Sequence, residues 1–380
     1  MNLLYLIDSL APGGAETSLA ALAPHLIAAG VDLHVAYFHE RPGVGPQLAA
    51  AGARLTHVGA GGGRLGRIRR TRQLLTSVAP DLLHTTLFEA DIAGRFAGAL
   101  ARTPVVSSLV SVAYGPEHHV PHVWKRRGAQ ALDALSATRV RRFHANSEDV
   151  AETMSRRLYI PRHRIDVVWR GRDATALGLR GEQRRHATRQ RLGPDLEGRP
   201  LVVAVARHSE VKGLDVLLRA VPALRLAVPD VRVVVAGAEG SATAELDQLC
   251  RNLRLGAVVR FIGHSNAVAD LMAAADVLAF PSRREGLPGT LIEALALECP
   301  FVATDLPSVR EVTAGFAAAL VPPDDPGRLA AALEATLRDP AGAADRARAG
   351  RARFLTHFTI ERSAEAMLAF YERALHGDAR

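Results

Sequence analysis

One short stretch holds two carboxylates with the types and spacing for ligand chemistry: Phe280-Pro-Ser-Arg-Arg-Glu285-Gly286-Leu287-Pro288-Gly289-Thr290-Leu-Ile-Glu293-Ala294. Eight residues apart on a single helix they would stand roughly 12 Å apart and could not act together. Pro288 and Gly289 break the stretch, which puts Glu285 on a loop and starts a helix near Thr290. A carboxylate accepts two hydrogen bonds at once and so suits vicinal hydroxyls. On this reading Glu285 holds a sugar, Glu293 holds a ribose, and the helix N-terminus faces phosphate. Thr290-x-x-Glu293 is equally a capping box, in which Glu293 serves only its own helix.

Arg207, His208, Lys212 and Gly213 follow another apolar run. Two cations across a turn can clamp a diphosphate, Arg as a fork and Lys as a point charge. Lys212 draws notice because Lys125 is the only other lysine in the chain. Near the start, Gly13-Gly14-Ala15-Glu16 places paired glycines where a strand turns into a helix, which lets a ligand approach the backbone. The spacing fails the dinucleotide pattern GxGxxG. The stretch from Ser107 to Trp124 gathers Tyr114, His118, His119 and His122. Three histidines raise a metal hypothesis, but no Cys or carboxylate pattern supports it, and an acceptor-binding loop fits better.

These residues need a frame that brings them to one edge. Short β-branched runs alternate with helix-length amphipathic stretches: Leu3–Ile7, Leu33–Phe38, Leu82–Thr85, Val105–Leu109, Phe143–Ala145 and Ile165–Trp169 first. A second series follows: Leu201–Ala206, Val231–Ala236, Val258–Ile262, Val277–Phe280, Phe301–Thr304 and Ala318–Val321. Runs without alternation mark parallel strands buried on both faces, and βαβ units joining them make an α/β fold. The sequence predicts two doubly wound domains, residues 1–175 and 200–357, with an Arg-rich linker over 176–199 that holds at most one solvated helix. In such sheets ligands bind beyond the carboxyl ends of the strands.

The 380 residues carry 47 Lys and Arg against 39 Asp and Glu, and the surplus is local. Residues 1–175 hold 21 basic against 14 acidic side chains, and the remainder is almost balanced at 26 against 25. Arg64, Arg67, Arg69, Arg70 and Arg72 have no acid among them, and Lys125, Arg126 and Arg127 add to the excess. That first half suits an anionic lipid surface or a lipid-diphosphate. A solvated arginine face is the plain alternative. Aromatic stacking platforms for nucleic acid are missing. Cys250 and Cys299 form no CxxC, and no apolar run reaches the roughly 20 residues of a spanning helix. The expectation is a cytoplasmic protein, peripheral at most to the inner face of a membrane.

Taken in order, these motifs resemble the large fourth family of retaining glycosyltransferases, which have the GT-B fold of two Rossmann-like domains facing one cleft. The resemblance runs from Gly13-Gly14-Ala15-Glu16 through Asp81-Leu-Leu-His84, Ala145-Asn146-Ser147, Arg207, Lys212-Gly213 and Val233-Val-Val-Ala-Gly237. It continues with Phe261-Ile-Gly263, Ala275-Asp276-Val277, Pro281-Ser282, Glu285-x7-Glu293, Pro300-Phe-Val-Ala-Thr-Asp305 and Glu311. It implies a nucleotide-diphospho-sugar on the second domain, held by Arg207 and Lys212 at the diphosphate and Glu293 at the ribose. Glu285, Gly286 and Leu287 would hold the transferred sugar, and Gly13 and Gly14 would approach the phosphates. Glu285 and His84 would be the catalytic candidates, and Glu16, Thr86, Tyr114, His118 and His119 would meet the acceptor. No cofactor and no divalent metal is implied, and the chain lacks Asp-x-Asp. A last helix near 358–376 would return to the first domain. Many members carry His-x-His where this chain has His84-Thr85-Thr86, so an imidazole is missing at the third position. That departure keeps a binding protein without turnover in view, beside an epimerase on the same fold.

Overall fold

The computed structural model describes residues 1–114 and 123–377. The chain forms two compact units, one of Met1–Gly171 with the segment from Thr359 onward, the other of Arg172–Phe358.

In the first unit seven parallel strands, β1 (Asn2–Ser9), β2 (Asp32–His39), β3 (Arg54–His57), β4 (Leu82–Thr86), β5 (Val105–Leu109), β6 (Arg142–Ala145) and β7 (Ile165–Val167), lie in the order β3-β2-β1-β4-β5-β6-β7. Central β1 shows why its sequence does not alternate. Leu3, Tyr5 and Ile7 enter one core layer with Leu19, Leu26, Met367 and Phe370. Leu4 and Leu6 enter the other with Ala90, Ala97 and Phe143. Both faces are out of water, at about 1.5–3 kcal/mol for each large apolar side chain buried. The helix Gly14–Ala28 ends as expected before Gly30, whose φ of 86° turns the chain back to β2. The helix Ile360–His376 supplies Ile360, Met367, Phe370 and Tyr371 to this same core.

The second unit holds β8 (Leu201–Val205), β9 (Arg232–Ala236), β10 (Val259–Phe261), β11 (Val277–Phe280), β12 (Phe301–Thr304) and β13 (Ala319–Val321), all parallel, in the order β10-β9-β8-β11-β12-β13. Strand order reverses between β8 and β11 here, and between β1 and β4 in the first sheet. Those are the places where crevices open beyond strand ends.

Three local readings are corrected. β3 was missed because its four residues lie on an edge and only Leu55 is large and apolar. β7 stops at Val167, short of Trp169. Residues 176–199 are not a solvated linker, because their helix Glu182–Leu192 is docked within the second unit by guanidinium groups. Arg184 meets Asp270 at 2.7 Å, and Arg185 and Arg189 meet Asp276 at 2.7 and 2.9 Å. Arg189, 2% exposed, also donates to the carbonyls of Ala274, Leu196 and Arg199. A helix held by arginines lacks the apolar stripe that reveals most helices.

Candidate functional site

Two loops meet at the reversal point of the second sheet. β8 ends at Val205 and runs through Arg207 into a 3-10 turn, Glu210–Lys212; β11 ends at Phe280 and runs through Pro281–Pro288 into the helix Gly289–Ala296. They touch through Gly213, where φ is 62° and a Cβ would run into the carbonyl of Pro281. A side chain is excluded there by both the backbone angle and the space. Across this junction Lys212 Nζ lies 2.6 Å from Glu285 Oε1, with Glu285 only 10% exposed. The two residues singled out from separate motifs therefore form one ion pair.

On the same two loops, several groups are left without partners. Arg207 is exposed and has no ion-pair partner among the described residues. The backbone N–H groups of Gly286 and Leu287 likewise have no hydrogen-bond partner among them. Ser308 donates to the Glu285 carbonyl at 3.3 Å and fixes the loop from beneath. The helix after it begins at Gly289, so Thr290 is already inside it and no side chain caps its end. This corrects the capping-box reading. Glu293 instead accepts from Arg172 Nε at 2.7 Å, both side chains being 21% exposed, and the Arg172 guanidinium lies over Gly289.

Sequence reasoning passed over two further residues. Arg172 was hidden in an arginine-rich run. Arg283 carried no signal separating it from Arg284, yet it ties the two loops together. Its guanidinium meets both oxygens of Asp215 at 2.8 Å, Asp324 at 2.6 Å and the Glu210 carbonyl at 2.5 Å. Its own N–H donates to the Val211 carbonyl at 2.8 Å. Burial works against the Asp215 carboxylate, but hydrogen bonds from Arg283 and Arg219 outweigh it and hold its pKa below the usual range.

The first unit distributes its predicted residues differently. Gly13 leads extended into the helix Gly14–Ala28, and Arg170 stands over Gly14. The Glu16 carboxylate folds back beside Gly13, where burial raises its pKa while the amides of Glu16 and Ala15 and the charge of Arg170 oppose the rise. It occupies its own helix N-terminus, the place where an outside anion would bind. His84 and Thr86 are fully buried. Thr86 Oγ1 pairs with the Tyr5 hydroxyl at 2.7 Å, and burial pushes the Tyr5 pKa up to about 12.

A relay fixes the His84 ring. His144 Nε2 faces the Val168 carbonyl at 3.1 Å and so carries a proton, which leaves its Nδ1 to accept from Ser108 at 2.9 Å. Ser108, its proton spent, accepts from His84 Nε2 at 2.7 Å, and His84 Nδ1 accepts from the Tyr371 hydroxyl at 2.7 Å. Both rings are neutral and both His84 nitrogens are engaged. The catalytic and acceptor-contact readings of His84 and Thr86 are accordingly corrected: neither side chain has a surface to offer a substrate. Tyr114 is part-buried and donates to Asp133 Oδ2 at 2.7 Å. His118 and His119 lie outside the described residues. Among the described residues no three His, Cys, Asp or Glu are grouped to hold a metal ion.

Comparison with known proteins bears on the family and the fold. Residues 13–171 match the glycosyl transferase 4-like domain, and residues 187–353 match the glycosyl transferases of group 1. The D-inositol 3-phosphate glycosyltransferase of Jonesia denitrificans is 33% identical over 201 residues, 50% of this chain and 47% of that protein. The glycogen synthase of Mycobacterium tuberculosis is 32% identical over 195 residues, 50% of this chain and 46% of that one. The matched region thus spans about half the length of these curated relatives. HepE of Anabaena, crystallised with UDP-glucose, shares the fold at a TM-score of 0.86 over 98% of this chain and 99% of its own, with 23% identity. The fold is GT-B, built from two Rossmann-like domains. The chain belongs to the group 1 glycosyltransferases.

Proposed function

We propose that this protein is a retaining glycosyltransferase that moves a sugar from a nucleotide-diphospho-sugar to a hydroxyl of a glycan or lipid-linked acceptor. The observation that carries this is the Lys212–Glu285 pair at the reversal point of the second sheet, with exposed Arg207 and the unpaired amides of Gly286 and Leu287 on the same two loops. Cations beside amides suit a diphosphate, and a carboxylate beside amides suits a sugar's hydroxyls. In the reaction the bond from the anomeric carbon to the phosphate oxygen breaks and a bond to the acceptor oxygen forms on the same face. The acceptor proton passes to the departing diphosphate. Lys212 and Arg207 stabilise the charge that develops there, so this mechanism needs neither a divalent metal nor a protein nucleophile. Glu293 and Arg172 flank the ribose. The acceptor belongs to the first unit, meeting it at an anionic membrane on the cytoplasmic side.

Incubating the purified protein with a panel of nucleotide sugars and following release of nucleoside diphosphate tests the reading. Glu285→Ala should abolish turnover while the melting profile stays intact; full turnover in that variant overturns the assignment. Lys212→Ala should weaken nucleoside diphosphate binding by about tenfold or more in calorimetry. The buried, fully bonded His84 and Thr86 favour a second reading, a sugar-nucleotide-binding protein without turnover. Tight donor binding with no release across the panel would establish it.

A further inference from the structure

The helices Gly63–Val78, Phe88–Ala101 and Val123–Ala137 pack side by side in the first unit, and each leads to the next strand of the parallel sheet. All three therefore begin at the carboxyl edge of that sheet. The middle helix is largely buried, and its Glu89 is held by His39 and Arg67. Its neighbours keep large apolar side chains in water: Leu65 is 81% exposed, Trp124 69% and Val123 54%. Beside them stand exposed Arg64, Arg69, Arg72, Lys125 and Arg127. None of these five has a carboxylate partner among the described residues. Several exposed arginines elsewhere do have one, as in Arg54–Asp32, Arg310–Asp305 and Arg362–Glu365. Gly63–Val78 contains no acid, and the one acid of Val123–Ala137, Asp133, is buried against Arg95 and Tyr114.

We infer that the N-terminal ends of the helices Gly63–Val78 and Val123–Ala137 form a docking surface for an anionic lipid bilayer. This deepens the reading of a membrane-borne acceptor and rests on it for its purpose, though its geometry is independent of the donor site. Unpaired cations alone would fit any polyanion. Leu65, Val123 and Trp124 projecting among them require a partner with an apolar layer just beneath its negative charges. Lys125 Nζ lies 5.3 Å from the centre of the Trp124 ring, a pairing that suits the headgroup level of a bilayer.

Sedimentation of the full chain with vesicles of equal parts phosphatidylglycerol and phosphatidylcholine tests this. The protein should pellet at low salt, remain in solution with phosphatidylcholine alone, and dissociate as salt rises. Arg64→Glu with Arg69→Glu and Arg72→Glu should weaken binding by at least about tenfold. Leu65→Ser with Trp124→Ser should also weaken it, while elution from a heparin column stays unchanged. Tryptophan emission should shift to the blue with anionic vesicles, and the shift should vanish in Trp124→Phe. Failure to pellet with anionic vesicles overturns the proposal. So does wild-type vesicle binding by the serine variant, which would mean attraction to a bare polyanion such as nucleic acid. Nucleoside diphosphate calorimetry on the same samples without lipid separates the two readings. Intact nucleotide binding without vesicle binding removes this surface alone, and the converse removes the transfer reading alone.

Discussion

At Gly213 a single missing Cβ lets two loops touch, and the pairing of Lys212 with Glu285 depends on that contact. Gly213→Ala should cost about 1–3 kcal/mol of stability in denaturant melts, from the left-handed backbone alone. It should also weaken nucleoside diphosphate binding, since the carbonyl of Pro281 would be pushed away. Arg283 acts on the same junction from its flank. Arg283→Lys keeps the charge but loses the fork that grips Asp215, so it should lower kcat more than it raises KM. Loss of folding cooperativity would show a purely structural role instead. At this scale a scarce lysine and an unusual carboxylate spacing drew notice to Lys212 and Glu285, which the structure joins in one ion pair. Arg172 and Arg283 are two of 45 arginines, and only three-dimensional partners set them apart. His84 misled because a strand-end histidine reads alike whether its ring faces a cleft or, as here, a helix from the far end of the chain.

Among the elements, the helix Ile360–His376 is bound to the first sheet by an apolar face, by the Arg373–Asp166 ion pair and by a buried polar thread, the Tyr371–His84–Ser108–His144–Val168 relay. Tyr371→Phe removes the proton His84 Nδ1 accepts and should cost about 1–3 kcal/mol, because a buried acceptor is left unpaired. The relay also sets a pH dependence. Burial lowers the His84 pKa well below its ordinary value and takes His144 down to about 4. Above about pH 6.5 both rings are neutral folded and unfolded, and no penalty arises. As pH falls from there toward 4 the unfolded chain takes up protons that the folded chain refuses. Stability should therefore drop, by about 3 kcal/mol for His144 alone. Urea midpoints at pH 7, 5.5 and 4.5 would show it, and a variant with His144→Gln should lose part of the slope. The strands of both sheets were readable because burial on two faces leaves continuous β-branched runs. Edge strand β3 and the docking of the helix Glu182–Leu192 escaped because neither depends mainly on apolar burial.

For the whole molecule, charge and core divide along the same line. Each unit has its own buried apolar core, so calorimetric scans should resolve two transitions, and nucleoside diphosphate should raise only the one belonging to Arg172–Phe358. A single transition, or an equal rise in both, would count against the placement of the donor. The charge surplus of residues 1–175 lies partly in the five unpaired cations of the proposed bilayer surface, whereas Arg184, Arg185, Arg189, Arg191, Arg219, Arg283 and Arg310 of the second unit are spent on Asp215, Asp270, Asp276 and Asp305. Net charge, which the composition offers as one number, thus separates into a surface available to a partner and an internal scaffold.

The path of the chain has one more consequence. It leaves the first unit at Gly171 and re-enters at Thr359, with Gly171 packed directly against Thr359 and Ile360. Everything from Arg172 to Phe358 is thus inserted into a unit whose core needs Phe370 and Tyr371. During synthesis the second unit can fold as soon as it clears the ribosome, while the first, though made earlier, waits with one face of its sheet only partly covered. The part of the molecule that starts first is completed last, and over that interval its exposed strands are the ones a chaperone would find.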